Sequence, residues 1–195
     1  MEKSFVFELK RKFIHFLALI FILVYLITKK YYGHQSGLWA LTFILISFLT
    51  IDFFRVRMKK KIPFFQMFWR DKEKNKLGGN VYFIIGTLVA FAAFDLWIAV
   101  VALLMAIFGD MTGALVGVSI GRHKIKSQKN KSWEGTIAEV AVNLILGFLF
   151  LGNLIIGIGM ALIATLVEVK FEHVDDNLAI PIFAGFVGQV LSWVV

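Results

Sequence analysis

The sequence predicts an all-α protein, a polytopic transmembrane bundle of about seven helices forming a single integral membrane domain over residues 1–195. Three observations predict it. Hydrophobic residues make up 59% of the chain and charged residues only 17%, whereas soluble globular chains carry roughly 25% charged residues. The apolar residues come in long unbroken blocks rather than in alternation, as spans of a bilayer require. The basic residues then segregate to alternate connections between those blocks.

Seven blocks qualify: Phe13 to Thr28, Gly37 to Phe54, Gly79 to Phe94, Leu96 to Ile120, Thr136 to Leu151, Asn153 to Val167, and Leu178 to Val195. Between the fifth and sixth stand only Gly152 and Asn153, so this stretch reads either as two helices or as one kinked helix. Met1 to Lys12 is polar and the first block has no small-residue cleavage site, so no signal peptide is expected.

The charge distribution tests this count. Basic residues lie before the first block (Lys3, Lys10, Arg11, Lys12), from Arg55 to Lys76, from Arg122 to Lys131, and at Lys170. With seven crossings these segments share one side and carry nineteen of the 21 Lys and Arg, leaving Lys29 and Lys30 for the other. The positive-inside rule makes the richer side, and the amino terminus, cytoplasmic. A nucleic-acid patch has no reason to alternate in this way, so the formal net charge of +8 is assigned to membrane orientation and no nucleic-acid partner is expected. Cysteine is absent, which excludes disulfides, thiolate metal sites and thiol nucleophiles.

Charge inside a span is costly and marks function. Asp110 stands in apolar sequence beside Gly109, Gly113, Gly117 and Gly121, a strip without side chains on one helix face. That strip suits close helix packing or the close approach of a ligand. A second cluster enters the fifth block: Arg122, Lys126, Lys131, Ser132, Glu134 and Gly135. Its lysines orient the protein. Lys131, Ser132 and Gly135 at a helix start also suit a phosphate, while Glu134 is a metal candidate or part of a helix cap. The third cluster is Glu168, Glu172, His173, Asp175, Asp176 and Asn177. These residues either cap the last helix or hold a divalent cation such as Mg2+ that bridges phosphates. Arg11 and His15 share a helix face at the same end, and Gly78-Gly79 opens the third block either as a simple turn or as a phosphate-approach point.

These stretches, running in order from Glu8 with Arg11-Lys12-Phe13-Ile14-His15 to Glu168 with Asp176-Asn177-Leu178-Ala179-Ile180-Pro181, resemble the CTP-dependent polyprenol and lipid kinases. Dolichol kinase, phytol kinase and yeast-type diacylglycerol kinase belong to that group, which is related more distantly to phosphatidate cytidylyltransferases. Beside dolichol kinases the chain is short. The resemblance implies γ-phosphoryl transfer from CTP to a membrane lipid alcohol, with a polyprenol or dolichol-type isoprenoid as the expected acceptor and Mg2+ as cofactor. It implies that Asp110 and Asp176 serve catalysis or metal binding, with Glu134 and Asp175 as further metal candidates. Arg122, Lys126, Lys131, Ser132, Gly135, Gly78 and Gly79 would hold nucleotide phosphate, and the lipid would lie along the glycine strip. Cytidylyl transfer onto a lipid phosphate and a small cation transporter are the alternatives, and assembly as a homo-oligomer is left open.

Overall fold

A computed structural model describes residues 16–58, 76–125, 128–171 and 174–195. Among them the chain forms seven helices and one small hairpin. Helix α1 is Leu19–Tyr32, α2 His34–Met58, α3 Gly79–Ala93 and α4 Leu96–Ser119. The hairpin strands are β1 Lys124–Ile125 and β2 Gln128–Ser132, paired antiparallel. Helices α5 Trp133–Leu151, α6 Leu154–Lys170 and α7 Asp176–Val194 complete the bundle.

Each junction has a local cause. Gly33 adopts φ 88° and turns α1 into α2 within one residue, a conformation glycine accepts without strain. Tyr25 braces that turn by hydrogen-bonding His34 Nδ1 at 2.7 Å while its ring stacks on Phe91. Gly152, at φ 64°, ends α5, and Asn153 then caps α6 by accepting from the Ile155 and Ile156 amides. The Gly152-Asn153 punctuation therefore separates two helices rather than kinking one. Between α3 and α4, Gln189 on α7 accepts from the Asp95 amide at 2.7 Å and donates to the Asp95 carboxylate at 3.0 Å. Pro181 lacks the N–H that would bond the Asn177 carbonyl four residues earlier, and that carbonyl faces Gly86 of α3.

Among the described residues four helices are long and apolar enough to cross a membrane: His34–Arg57, Leu96–Ser119, Trp133–Leu151 and Asp176–Val194. This fits a membrane protein. Helices α1, α3 and α6 have 14, 15 and 17 residues in the described chain. The first half of α4 is the core of the bundle, with Ile98 to Leu103 and Met105 to Ile107 all buried. Outward faces carry Trp39, Phe43 and Phe53 on α2, Ile137, Ile145 and Phe148 on α5, and Leu162 and Leu166 on α6. Such apolar surface suits lipid contact.

The glycine strip is filled by protein. A Cβ at Gly109 would strike the Asn143 side chain, one at Gly113 would press on Glu139 and the Gly135 carbonyl at 3.4 Å, and one at Gly117 would sit 3.2 Å from Ser132 Oγ. Gly135 answers from α5, where a Cβ would strike the Gly113 carbonyl and lie 3.2 Å from Gly117 Cα. The bare face of α4 is thus the seat of α5, and the expectation that a lipid lies along it is corrected: backbone already occupies that space.

Gly135→Val should lower the stability of the protein in detergent by about 1–3 kcal/mol through overpacking of this contact, measured by thermal or denaturant unfolding against wild type.

Candidate active site

Four elements converge at the end of the bundle where the hairpin lies. Midway along, α4 contains one π turn, Met105–Gly109, and Asp110 follows it directly. A π turn changes the phase of a helix and recurs at functional sites; here it sets the half-buried Asp110 beside the α5 contact. Lys131 is the last residue but one of β2, and its ammonium pairs with Glu168 Oε1 at 3.1 Å while also bonding the Glu168 main-chain carbonyl. Glu168, near the end of α6, is 5% exposed. Asp176 opens α7, half-buried, within electrostatic reach of Lys131, Asp110, Glu168 and Asp175.

Behind this front lies a polar core that the sequence reading did not single out. Glu139, two turns into α5, is 2% exposed and interacts with Glu168, Asp110 and Lys131. Asn143, one turn further on, is fully buried and donates weakly to Thr165 Oγ1 at 3.4 Å. Asp52 on α2 is also buried, accepting from Arg55 Nε at 2.9 Å and from the Gly78 amide at 2.7 Å. The signal for Asp52 and Glu139 was available: each is a charge inside a predicted span, the criterion that selected Asp110.

The other candidates take varied places. Ser132 is the N-cap of α5, its Oγ accepting from the Gly135 amide at 3.2 Å, so these two residues satisfy one another and pack on Gly117 and Gly113. Glu134 turns back over the hairpin. Its Oε1 accepts from the Arg122 and His123 amides at 3.1 Å and pairs with His123 Nδ1 at 2.7 Å. Arg122 itself is exposed. Asp175 caps α7 by accepting from the Asn177 amide at 3.1 Å, and Asn177 donates to the Gly79 carbonyl at 3.3 Å. Gly78-Gly79 is therefore gripped between Asp52 and Asn177, with the Gly78 amide already engaged. Arg11, His15 and Lys126 lie outside the described residues.

The site is rich in oxygen acceptors of the kind a hard cation takes. Among the described residues no three His, Asp or Glu side chains form a ready metal cage. Asp110 and Asp176 act on one another, and a pair of carboxylates is the donor set that a magnesium ion completed by phosphate would take.

The model of the Cytidylyltransferase family matches residues 3–176, most of the chain. The chain belongs to this family. It is similar to "CTP-dependent diacylglycerol kinase 1" of Saccharomyces cerevisiae, 28% identical over 153 residues that make up 74% of this chain and 51% of that one. The protein of the same name from Schizosaccharomyces pombe is 34% identical over 68 residues, 35% of this chain and 31% of its own length. An uncharacterized protein of Rickettsia prowazekii is 30% identical over 194 residues, 92% of each chain. The chain thus spans about half the length of the budding-yeast kinase that it matches. No solved structure matches it.

Glu134→Ala removes every acceptor that holds the Arg122 and His123 amides to α5. Those two amides should exchange with deuterium faster than in wild type, while amides in the middle of α5 keep their protection, as hydrogen-exchange mass spectrometry would show.

Proposed function

We propose that this protein is a CTP-dependent lipid kinase that moves the γ-phosphoryl group of CTP to the hydroxyl of a membrane lipid alcohol. The observation that carries the reading is the convergence of Lys131, Asp110, Glu168 and Asp176 from β2, α4, α6 and α7 at one end of the bundle. Phosphoryl transfer asks a protein mainly for positioning and for charge matched to the transferred group. Lys131 meets a phosphate oxygen. Asp110 and Asp176 would hold a magnesium ion, which when bound would supply positive charge against the phosphates. The lipid oxygen attacks the γ-phosphorus, its bond to the β-γ bridging oxygen breaks, CDP leaves, and the hydroxyl proton passes to an aspartate or to water.

The basic segments support a cytoplasmic site and amino terminus, since nineteen of the 21 basic residues fall on one side of a seven-span topology. For the acceptor, both yeast relatives carry diacylglycerol in their names. That favours diacylglycerol over the polyprenol expected from sequence, and both present a single hydroxyl on an apolar body. The family description also supports a second reading, cytidylyl transfer to a lipid phosphate with release of pyrophosphate.

Purified protein in detergent, given γ-labelled CTP and magnesium, should place label in chloroform-extractable lipid with diacylglycerol or a polyprenol as acceptor. Lipid labelling from α-labelled CTP instead would favour cytidylyl transfer, and labelling from neither would refute both. Asp110→Asn should lower kcat by about 100-fold or more, with the protein still folded by near-ultraviolet circular dichroism.

A further inference from the structure

Three buried oxygens among the described residues have no hydrogen-bond partner: Glu139 Oε1, Asn143 Oδ1 and Glu168 Oε2. Their residues are 2%, 0% and 5% exposed, so bulk water does not serve them. Two of the three belong to acids that interact with one another, Glu139 from α5 and Glu168 from α6. A bare acceptor on each of two neighbouring acids is the arrangement that a single hydrogen between them completes, since two carboxylates sharing one site repel and do not both stay ionised.

The lysine decides which acid is the anion. Lys131 Nζ lies 3.1 Å from Glu168 Oε1 and also bonds the Glu168 carbonyl, so Glu168 has the ammonium and Glu139 does not. Of the titratable groups acting on Glu139, the acids Glu168 from α6 and Asp110 from α4 come ahead of Lys131, the base among them. On the α4 side the Glu139 carboxyl lies against the bare backbone at Gly113, where a methyl would stand 3.4 Å from Oε2.

We infer that Glu139 is a positioning residue: as a neutral acid it donates a hydrogen bond to Glu168, and through Glu168 it fixes Lys131 where the nucleotide phosphate is received. The inference rests on the proposed role of Lys131 but adds a residue that never touches the nucleotide. Glu168 left with an unsatisfied oxygen would compete more strongly for the lysine, and Lys131 would be withdrawn from the phosphate. With the donor in place, the Glu168 carboxylate is shared between Glu139 and Lys131. The lysine then keeps both its position and part of its charge for the ligand.

Two substitutions and one spectrum test this. Glu139→Gln keeps a donor and no charge, so its KM for CTP should stay within about twofold of wild type, whereas Glu139→Leu keeps bulk but no donor and should raise KM about tenfold with a smaller change in kcat. Infrared spectra of the protein in detergent should contain the carbonyl band of a buried neutral carboxylic acid, shifted in D2O, lost in Glu139→Gln and retained in Asp110→Asn. Glu139→Gln as damaging as Glu139→Leu, or a spectrum unchanged by Glu139→Gln, would overturn the inference. If the leucine variant does not fold, the glutamine variant and the band decide it alone. The band requires no substrate, so wild-type protein inactive toward CTP would defeat the kinase reading without touching the acid pair.

Discussion

The backbone contact between α4 and α5 is the constraint on which the polar end of the molecule depends. In lipid, apolar side chains gain little by leaving the solvent, so helices associate through close packing and hydrogen bonds. Gly109, Gly113 and Gly117 on one helix and Gly135 on the other remove the side chains that would hold the axes apart. The consequence is electrostatic as much as steric. Asp110 and Glu139 stand on the two helices so joined, and neither acid has a basic residue on its own helix. Lys131, carried in by the strand that leads directly into α5, pairs with Glu168 and lies close enough to act on Glu139 as well. A wider α4–α5 spacing would leave each acid alone in an apolar medium, the costly arrangement.

The two ends of the bundle are closed by different chemistry, and the difference bears on function. At one end Gln189 satisfies the Asp95 turn, and Tyr25 with His34 braces the α1–α2 corner. These contacts join neighbouring helices and leave no crowd of charges behind. At the other end Asp52 and Arg55 grip the entry to α3, Asn177 grips the same turn from α7, and Glu134 secures the hairpin. Around Lys131 the carboxylates outnumber the ammonium they share. A protein that needed only stability could have filled those positions with apolar side chains at no loss. Acids placed there despite the cost are what the proposed phosphate and metal site would require.

Much of the fold was legible in the sequence because a bilayer imposes coarse rules. The apolar blocks and the Gly152-Asn153 break correspond to the described helices. The hairpin was hidden, since Lys124-Ile125 and Gln128 to Ser132 are too short and too basic to show a strand period. At the site, Asp110, Lys131, Glu168 and Asp176 do come together. Ser132, Glu134, Gly135 and Asp175 were harder to assign, because capping and phosphate binding use the same residue types at a helix start. In the structure all four make capping, loop-anchoring or packing contacts. Glu139 was legible by the rule that singled out Asp110, yet its partner Glu168 lies 29 residues further on. Only the packing of α5 on α6 shows that the two meet.

The charge inventory also bears on the choice between the two reactions the family supports. Both bring CTP with its phosphates and magnesium to the same cations, but they differ in the lipid. Cytidylyl transfer requires a lipid phosphate, an anion, to approach the reacting phosphorus, whereas kinase chemistry requires only a neutral hydroxyl. Inside the described bundle the front of the site offers Asp110, Glu168 and Asp176 against Lys131, and Glu168 already claims part of that lysine. A second anionic substrate would add to this negative charge and would need Lys131 and the magnesium ion brought with CTP to offset it. A hydroxyl adds no charge, and a nearby carboxylate helps it by accepting its proton. A lipid phosphate would thus lean on the metal to reach the reacting phosphorus, whereas a lipid alcohol would not, which is the electrostatic difference between the two proposed reactions.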